Sequence, residues 1–310
     1  MTFFSKANID SVSSSKVNRK NVLNFIAYIV NIIITYGVGT LGWVGNGTNG
    51  ELSAKYQTIV TPNSSAFIIW AVIFVFQGIF AVVQLLPRFR AVPMVQEGVS
   101  YWYCIICALQ ITWTFAFAFE VIPFSLIMML LLWTSLISLL YSQFYTKSDG
   151  SILEFWLLRF PFSVHAGWIT AASALNINVQ VVSMDQPADL QLAVAIIALA
   201  VLHAVSVWVI FNIPKPLWTI ACVLSWAFGW IYVELQDPND LILATFSQDI
   251  IKGVGYAAIA VSFIILFQIV IRILLFARQS YSKEDSDGTQ EGNGSDVDNV
   301  GSDGLVAAKV

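Results

Sequence analysis

The sequence predicts an all-α fold, a polytopic membrane helical bundle of about eight transmembrane helices, and three observations carry that prediction. Charged residues fill 11% of the 310 positions and hydrophobic ones 57%, whereas water-soluble domains carry roughly a quarter charged residues. Mean hydropathy is +0.75, so most of the chain is composed to avoid water. At about 20 residues per crossing, apolar runs fall at 22–44, 66–86, 100–118, 123–144, 153–176, 189–211, 217–235 and 251–277.

Taken in order, residues 1–21 form a polar, serine-rich and basic N-terminal tail. The run Val22–Val44 is too long for a signal-peptide core and reads as the first span. The loop Gly45–Ser65 is rich in Gly, Asn, Thr and Ser and reads as turn. Its Asn46-Gly-Thr48 and Asn63-Ser-Ser65 match the glycosylation sequon, but Asn at such places serves first as a turn residue. Pro62 suits the first turn of the second span, where a missing N–H costs nothing.

Pro87, Arg88, Arg90 and Pro93 make a basic turn after it. The connection from Glu120 to Pro123 is so short that spans three and four must be an antiparallel pair. Span five is the least apolar, with Glu154 and Arg159 in its first turns. Ile213-Pro-Lys-Pro216 closes span six tightly, and Glu234 and Asp249 read as boundary residues of later spans. From 279 to 310 the chain turns to Ser, Asp, Gly, Asn and Glu, too polar to offset its ordering entropy, and reads as a disordered acidic tail.

Charge supports the same topology. Residues 279–310 hold seven acids and two lysines, a balance of -5, so the formal net charge of -4 leaves the other 278 residues at +1. No basic surface for nucleic acid exists. With the N-terminus inside, thirteen of the fifteen Lys and Arg fall on inner segments and only Lys55 and Lys252 outside, which predicts an integral multi-pass protein with both termini cytosolic. The three cysteines lie in apolar runs; Cys104 and Cys107 have the spacing of half a metal site, but no second pair completes it. Nucleophile elbows, zinc motifs and phosphate loops are absent from the sequence.

The stretch with most chemical content is Arg159 to Asn176. At helical spacing His165, Trp168, Ala172 and Asn176 share one face. Lipid penalises such groups, so this face is expected to line a hollow for a flat, largely apolar ligand. An imidazole there can hydrogen-bond an acyl or propionate group or ligate a haem iron. Its bland alternative is a buried histidine satisfied by a carbonyl or by Glu120. Glu120 lies on the face of Trp113, either to meet a cationic ligand group or as a solvated helix end. Gln110 on that face is read as an interhelical bond or a ligand contact.

Three stretches carry a family resemblance. Thr61-Pro62-Asn-Ser-Ser-Ala-Phe67-Ile-Ile-Trp70 resembles the proline-led entry into span two of the TspO/MBR family, the tryptophan-rich sensory proteins and peripheral benzodiazepine receptor relatives. Leu109-Gln110-Ile-Thr-Trp113 is similar to its Leu-Asn-x-x-Trp in span three, with Gln110 in place of Asn. Trp168-Ile-Thr-Ala-Ala172-Ser-Ala-Leu175-Asn176 is similar to its fifth span, with His165 where short members often place Tyr.

The resemblance implies a TspO-like five-helix core over 22–180, followed by three additional transmembrane helices over 181–278. It also implies a pocket between helices for a tetrapyrrole such as protoporphyrin, or for a sterol. Carried over by position, the pocket residues are Trp70, Trp113, Trp168, Ala172, Leu175 and Asn176, beside which His165 and Gln110 complete the candidate set.

The leading expectation is therefore a membrane receptor or carrier for a hydrophobic planar molecule. Porphyrin or haem would enter as ligand, with no obligatory cofactor and no metal. Competing readings are a secondary transporter using His165, Arg159 and Glu120, and a porphyrin-modifying membrane enzyme. Expected partners are membrane lipid, the small molecule, and a second copy of the chain in a homodimer.

Overall fold

One of the more polar of the long helices is the one most enclosed by the others, and that inversion organises the molecule. The computed structural model describes residues 16–292, and every regular element among them is helical. In chain order these are α1 (Arg19–Gly39), the short α2 (Asn49–Lys55), α3 (Ile69–Val83, entered by a 3₁₀ turn at Ser64–Ile68), α4 (Trp102–Ala118) and α5 (Ile122–Tyr145). There follow α6 (Phe160–Ser183), α7 (Ala188–Val207), α8 (Trp218–Glu234), the short α9 (Asp240–Thr245) and α10 (Gln248–Gly292). Five segments are long and apolar enough to cross a bilayer, Arg19–Gly39, Ser64–Val83, Ile122–Tyr145, Ala188–Asn212 and Gln248–Phe276, and α4 and α8 are shorter apolar helices.

The eighth, α6, has 15 of its 24 residues buried, His165, Thr170, Ser173 and Asn176 among them. It packs against α3, α5, α7 and α8. A helix walled by protein can carry polar side chains that a lipid-facing one cannot. By contrast α7 buries only Ala195, Leu202 and Ser206. At Gly167 an added Cβ would sit 2.9 Å from Val223 Cβ and 3.2 Å from Ile220 Cα, so the missing side chain is what lets α6 and α8 cross this closely.

α1 is likewise apolar outside and polar inside. Val22, Ile26, Ile29 and Ile33 are exposed, while Asn21, Asn24, Asn31 and Thr35 are buried. Asn24 Nδ2 donates to the Ser100 carbonyl (3.0 Å) and its Oδ1 accepts from Cys104 Sγ (3.1 Å), fixing α1 on α4. Asn21 and Gln84 exchange side chain to backbone bonds of 3.0 and 2.9 Å, closing the α1–α3 end. Where water is absent, such bonds replace the hydrophobic effect as glue.

Three boundaries differ from the sequence reading. The fifth crossing is α6 from Phe160 rather than 153–176, because Glu154 and Arg159 are spent before it: Arg159 Nε donates to Glu154 Oε1 (2.9 Å) in the turn that leads in. The loop Gly45–Ser65 holds a helix, α2, whose N-cap Thr48 accepts from Glu51 N (3.2 Å) while Glu51 accepts from Thr48 N (2.7 Å), a reciprocal capping box. The last helix continues to Gly292, past the start of the acidic segment at 279; residues 293–310, like 1–15, lie outside the described residues.

Candidate functional site

Between α1, α3, α6 and the loop that carries α2 lies a cavity of about 1020 Å³, reached also by side chains of α4, α5, α7 and α8. This is at the upper end of small-molecule sites. Six of the eight sequence-predicted residues line it: Trp70, Trp113, Trp168, Ala172, Leu175 and Asn176. Trp168 stands edge-on to Phe67 (ring centroids 5.5 Å apart) and to Trp70 (6.4 Å), so the three rings brace one another at the edge of the hollow. Trp113 stacks on Phe117, 5.4 Å away and 10° from parallel. Its indole Nε1 donates to Asn176 Oδ1 (3.2 Å), and Asn176 Nδ2 turns back to the Ala172 carbonyl (2.9 Å). The amide that the sequence offered to a ligand thus orients an indole.

His165 does not line the cavity; it is fully buried behind Trp70, whose ring meets it at 5.8 Å. Its partner is neither a carbonyl nor Glu120. Tyr103 Oη donates to Gln77 Oε1 (3.1 Å), which leaves Gln77 Nε2 to donate to His165 Nδ1 (2.9 Å). The chain of donors places the imidazole proton on Nε2, which has no partner among the described residues. Gln110 is also fully buried away from the cavity, and the interhelical bond expected of it is not made: both its amide atoms lack partners.

Glu120 stands partly exposed at the helix end, where it is bonded to the α2 loop rather than free in solvent. It occupies the left-handed region (φ 57°) just past α4, where glycine is the usual residue. Its carboxylate accepts from Asn46 Nδ2 (2.9 Å), from Tyr56 Oη (2.6 Å) and from Lys55 Nζ. The Lys55 hydrogen bond, then those of Tyr56 and Asn46, pull its pKa from the usual 4.5 down to about 2. Reciprocally, the Glu120 bond raises Lys55 and Tyr56. Glu234, read as a boundary residue, holds the other end of the same loop by accepting from Gln57 Nε2 and from Asn63 Nδ2 (2.9 Å). Both sequon nitrogens are therefore bonded to carboxylates. The loop held this way contributes Thr48, Asn49, Ser53, Val60 and Pro62 to the cavity wall.

Arg159 pairs with Glu154, Glu120 with Lys55, and His165 is sealed in the core against Gln77, so no direct contact joins the three. Among the described residues no group of His, Cys, Asp and Glu is arranged to hold a metal ion. No charged side chain lines the cavity among them. Sequence reasoning missed Phe67, Phe117 and the contributions of α7 and α8; the first two sit one turn from the tryptophans it named and were within reach of the 3.6-residue period.

A family model described as TSPO-like protein matches residues 21–275, well beyond the half of the chain that carries the three motifs. Comparisons with curated proteins and with solved structures gave no match.

Proposed function

Taking as premise that the chain belongs to the TSPO-like family and is an integral membrane protein, we propose that it is a receptor or carrier for a hydrophobic planar small molecule of the tetrapyrrole or sterol class. The observation that carries this reading is the large cavity edged by Trp70, Trp113 and Trp168 and free of charged lining. Flat indole faces and edges suit a rigid ring system. Between the two classes the lining favours the uncharged one. The propionates of a tetrapyrrole meet no cation there, and burying unpaired carboxylates is costly. The end bearing Arg88, Arg90, Lys147 and Lys215 faces the cytosol in this reading, which puts the α2 loop and its two carboxylate anchors on the other side.

The test is paired titration of the purified protein in nanodiscs with a radiolabelled sterol and with protoporphyrin. Saturable sterol binding that falls at least tenfold in Trp168→Ala supports the reading. A saturable Soret shift with protoporphyrin, displaced by sterol, would extend it to tetrapyrroles. Absence of saturable binding for both would end it.

A further inference from the structure

The cavity changes chemistry along its length. Towards α1 and α2 its wall holds Thr35, Thr40, Thr48, Asn49 and Ser53, and Asn49 Oδ1 is a buried acceptor without a partner. The tryptophans follow, on α3, α4 and α6. Beyond them, where α6 packs on α7 and α8, those two helices contribute only aliphatic residues, Ala198, Leu199, Leu202, Ala227 and Ile231, and α6 adds Ala171 and Ala174. Alanines on three facing helices leave the room at this end. α8 is fixed against the entrance of α3 by Trp226 Nε1 donating to the Ala66 carbonyl (3.3 Å) and by Asn63 N donating to the Trp230 carbonyl (3.0 Å). α6 lines the cavity from Ala171 to Val179, roughly 12 Å that include Asn176 beside Trp113.

We propose that this alanine-walled end is a tail subsite: the ligand is an uncharged amphiphile whose head donates a hydrogen bond to Asn49, whose rings lie among the tryptophans, and whose saturated or isoprenoid tail runs between α6, α7 and α8. The proposal rests on the binding role given above and adds what the last helices are for. Lipid offers a tail the same apolar surroundings as the protein, so selection at this end comes from shape and not from hydrophobicity. Filling it should therefore exclude a tail without affecting a ring.

The experiment uses full-length protein in nanodiscs and two matched probes, 2-naphthol and 6-octyl-2-naphthol, each measured as binding in excess of empty nanodiscs. Ala198→Phe should weaken the octyl probe by about five- to 150-fold, the range expected for overpacking a filled site, and leave 2-naphthol unchanged. Leu199→Trp, at a half-exposed lining position, is the second variant and should act the same way. Retained 2-naphthol binding shows that the variants fold. Equal loss of both probes in both variants, or loss of neither, overturns the tail subsite. Trp168→Ala then reports separately on the binding role, by abolishing 2-naphthol binding. If neither probe binds the wild type saturably, the subsite falls, while the reading it rests on is decided separately by the sterol and protoporphyrin titrations.

Discussion

Replacing Asn176 by Leu tests whether the cavity wall is built as described. The side chain is replaced by an apolar one of similar size, and the Trp113 indole N–H loses its one acceptor among the described residues, Asn176 Oδ1 at 3.2 Å. The second bond of Asn176, from Nδ2 to the Ala172 carbonyl, is within α6 and its loss leaves no donor stranded. Trp113 is 8% exposed and Asn176 6%, beside a cavity without charged lining, so water does not readily take the vacancy. In a soluble protein a stranded buried donor costs about 1–3 kcal/mol. In membrane bundles, interhelical hydrogen bonds average about 0.6 and reach about 1.7 kcal/mol, because the unfolded chain in lipid also finds partners. The second range governs here, and a coupling of about 1 kcal/mol is expected.

The assay is a double-mutant cycle of Asn176→Leu and Trp113→Phe, read from helix loss during titration of the protein into denaturing detergent. Trp113→Phe removes the donor, so Asn176→Leu should cost about 1 kcal/mol in the wild-type background and near zero in the Trp113→Phe background. A coupling below about 0.3 kcal/mol would refute the claim that this bond sets the indole.

Three other outcomes follow from the same geometry. His165→Leu strands Gln77 Nε2 in the core and should lower stability by about 0.6–1.7 kcal/mol, yet change sterol affinity less than twofold because His165 does not reach the cavity; a tenfold affinity loss would contradict that placement. Glu120→Gln should speed acylation of Lys55, measured by mass spectrometry at pH 8, because the carboxylate that raises the Lys55 pKa is gone. Since Glu120 is held below its usual pKa, its contribution to loop closure is complete above about pH 4.5 and lost as pH falls towards 2, so ligand retention should show a step in that window that the variant lacks. Gly167→Leu must force α6 from α8, since even a Cβ there would stand 2.9 Å from Val223 Cβ, and should lower stability in denaturing detergent by about 1–3 kcal/mol; unchanged stability would mean the two helices do not cross there.

Much of the site was legible because membrane crossings obey one strict period. Trp168, Ala172 and Asn176 fall on one helical stripe whatever surrounds them, and Trp70, Trp113 and Leu175 were identified by their motif positions. His165 shares that stripe and still misses the cavity, since a helical face about 100° wide has two edges and only packing selects which edge meets the hollow. Gln77, its partner, lies 88 residues earlier on α3, a pairing that no local pattern encodes. Glu120 and Glu234 looked like helix-end charges because their partners sit on a loop whose return path over the bundle is set by tertiary contacts.

The sequence by itself determined a helical membrane bundle, the number of long helices, and the family, because exclusion of unpaired backbone from lipid leaves a long apolar run only one structure to adopt. It also determined that α6, rich in polar groups, had to be shielded from lipid. Only the tertiary structure decided which side chains face the hollow, which carboxylates hold the loop over it, and that α7 and α8 wall one end. Those are matters of which helices touch and at what rotation, and in lipid that is settled by small-residue contacts and side-chain hydrogen bonds spread across distant parts of the chain.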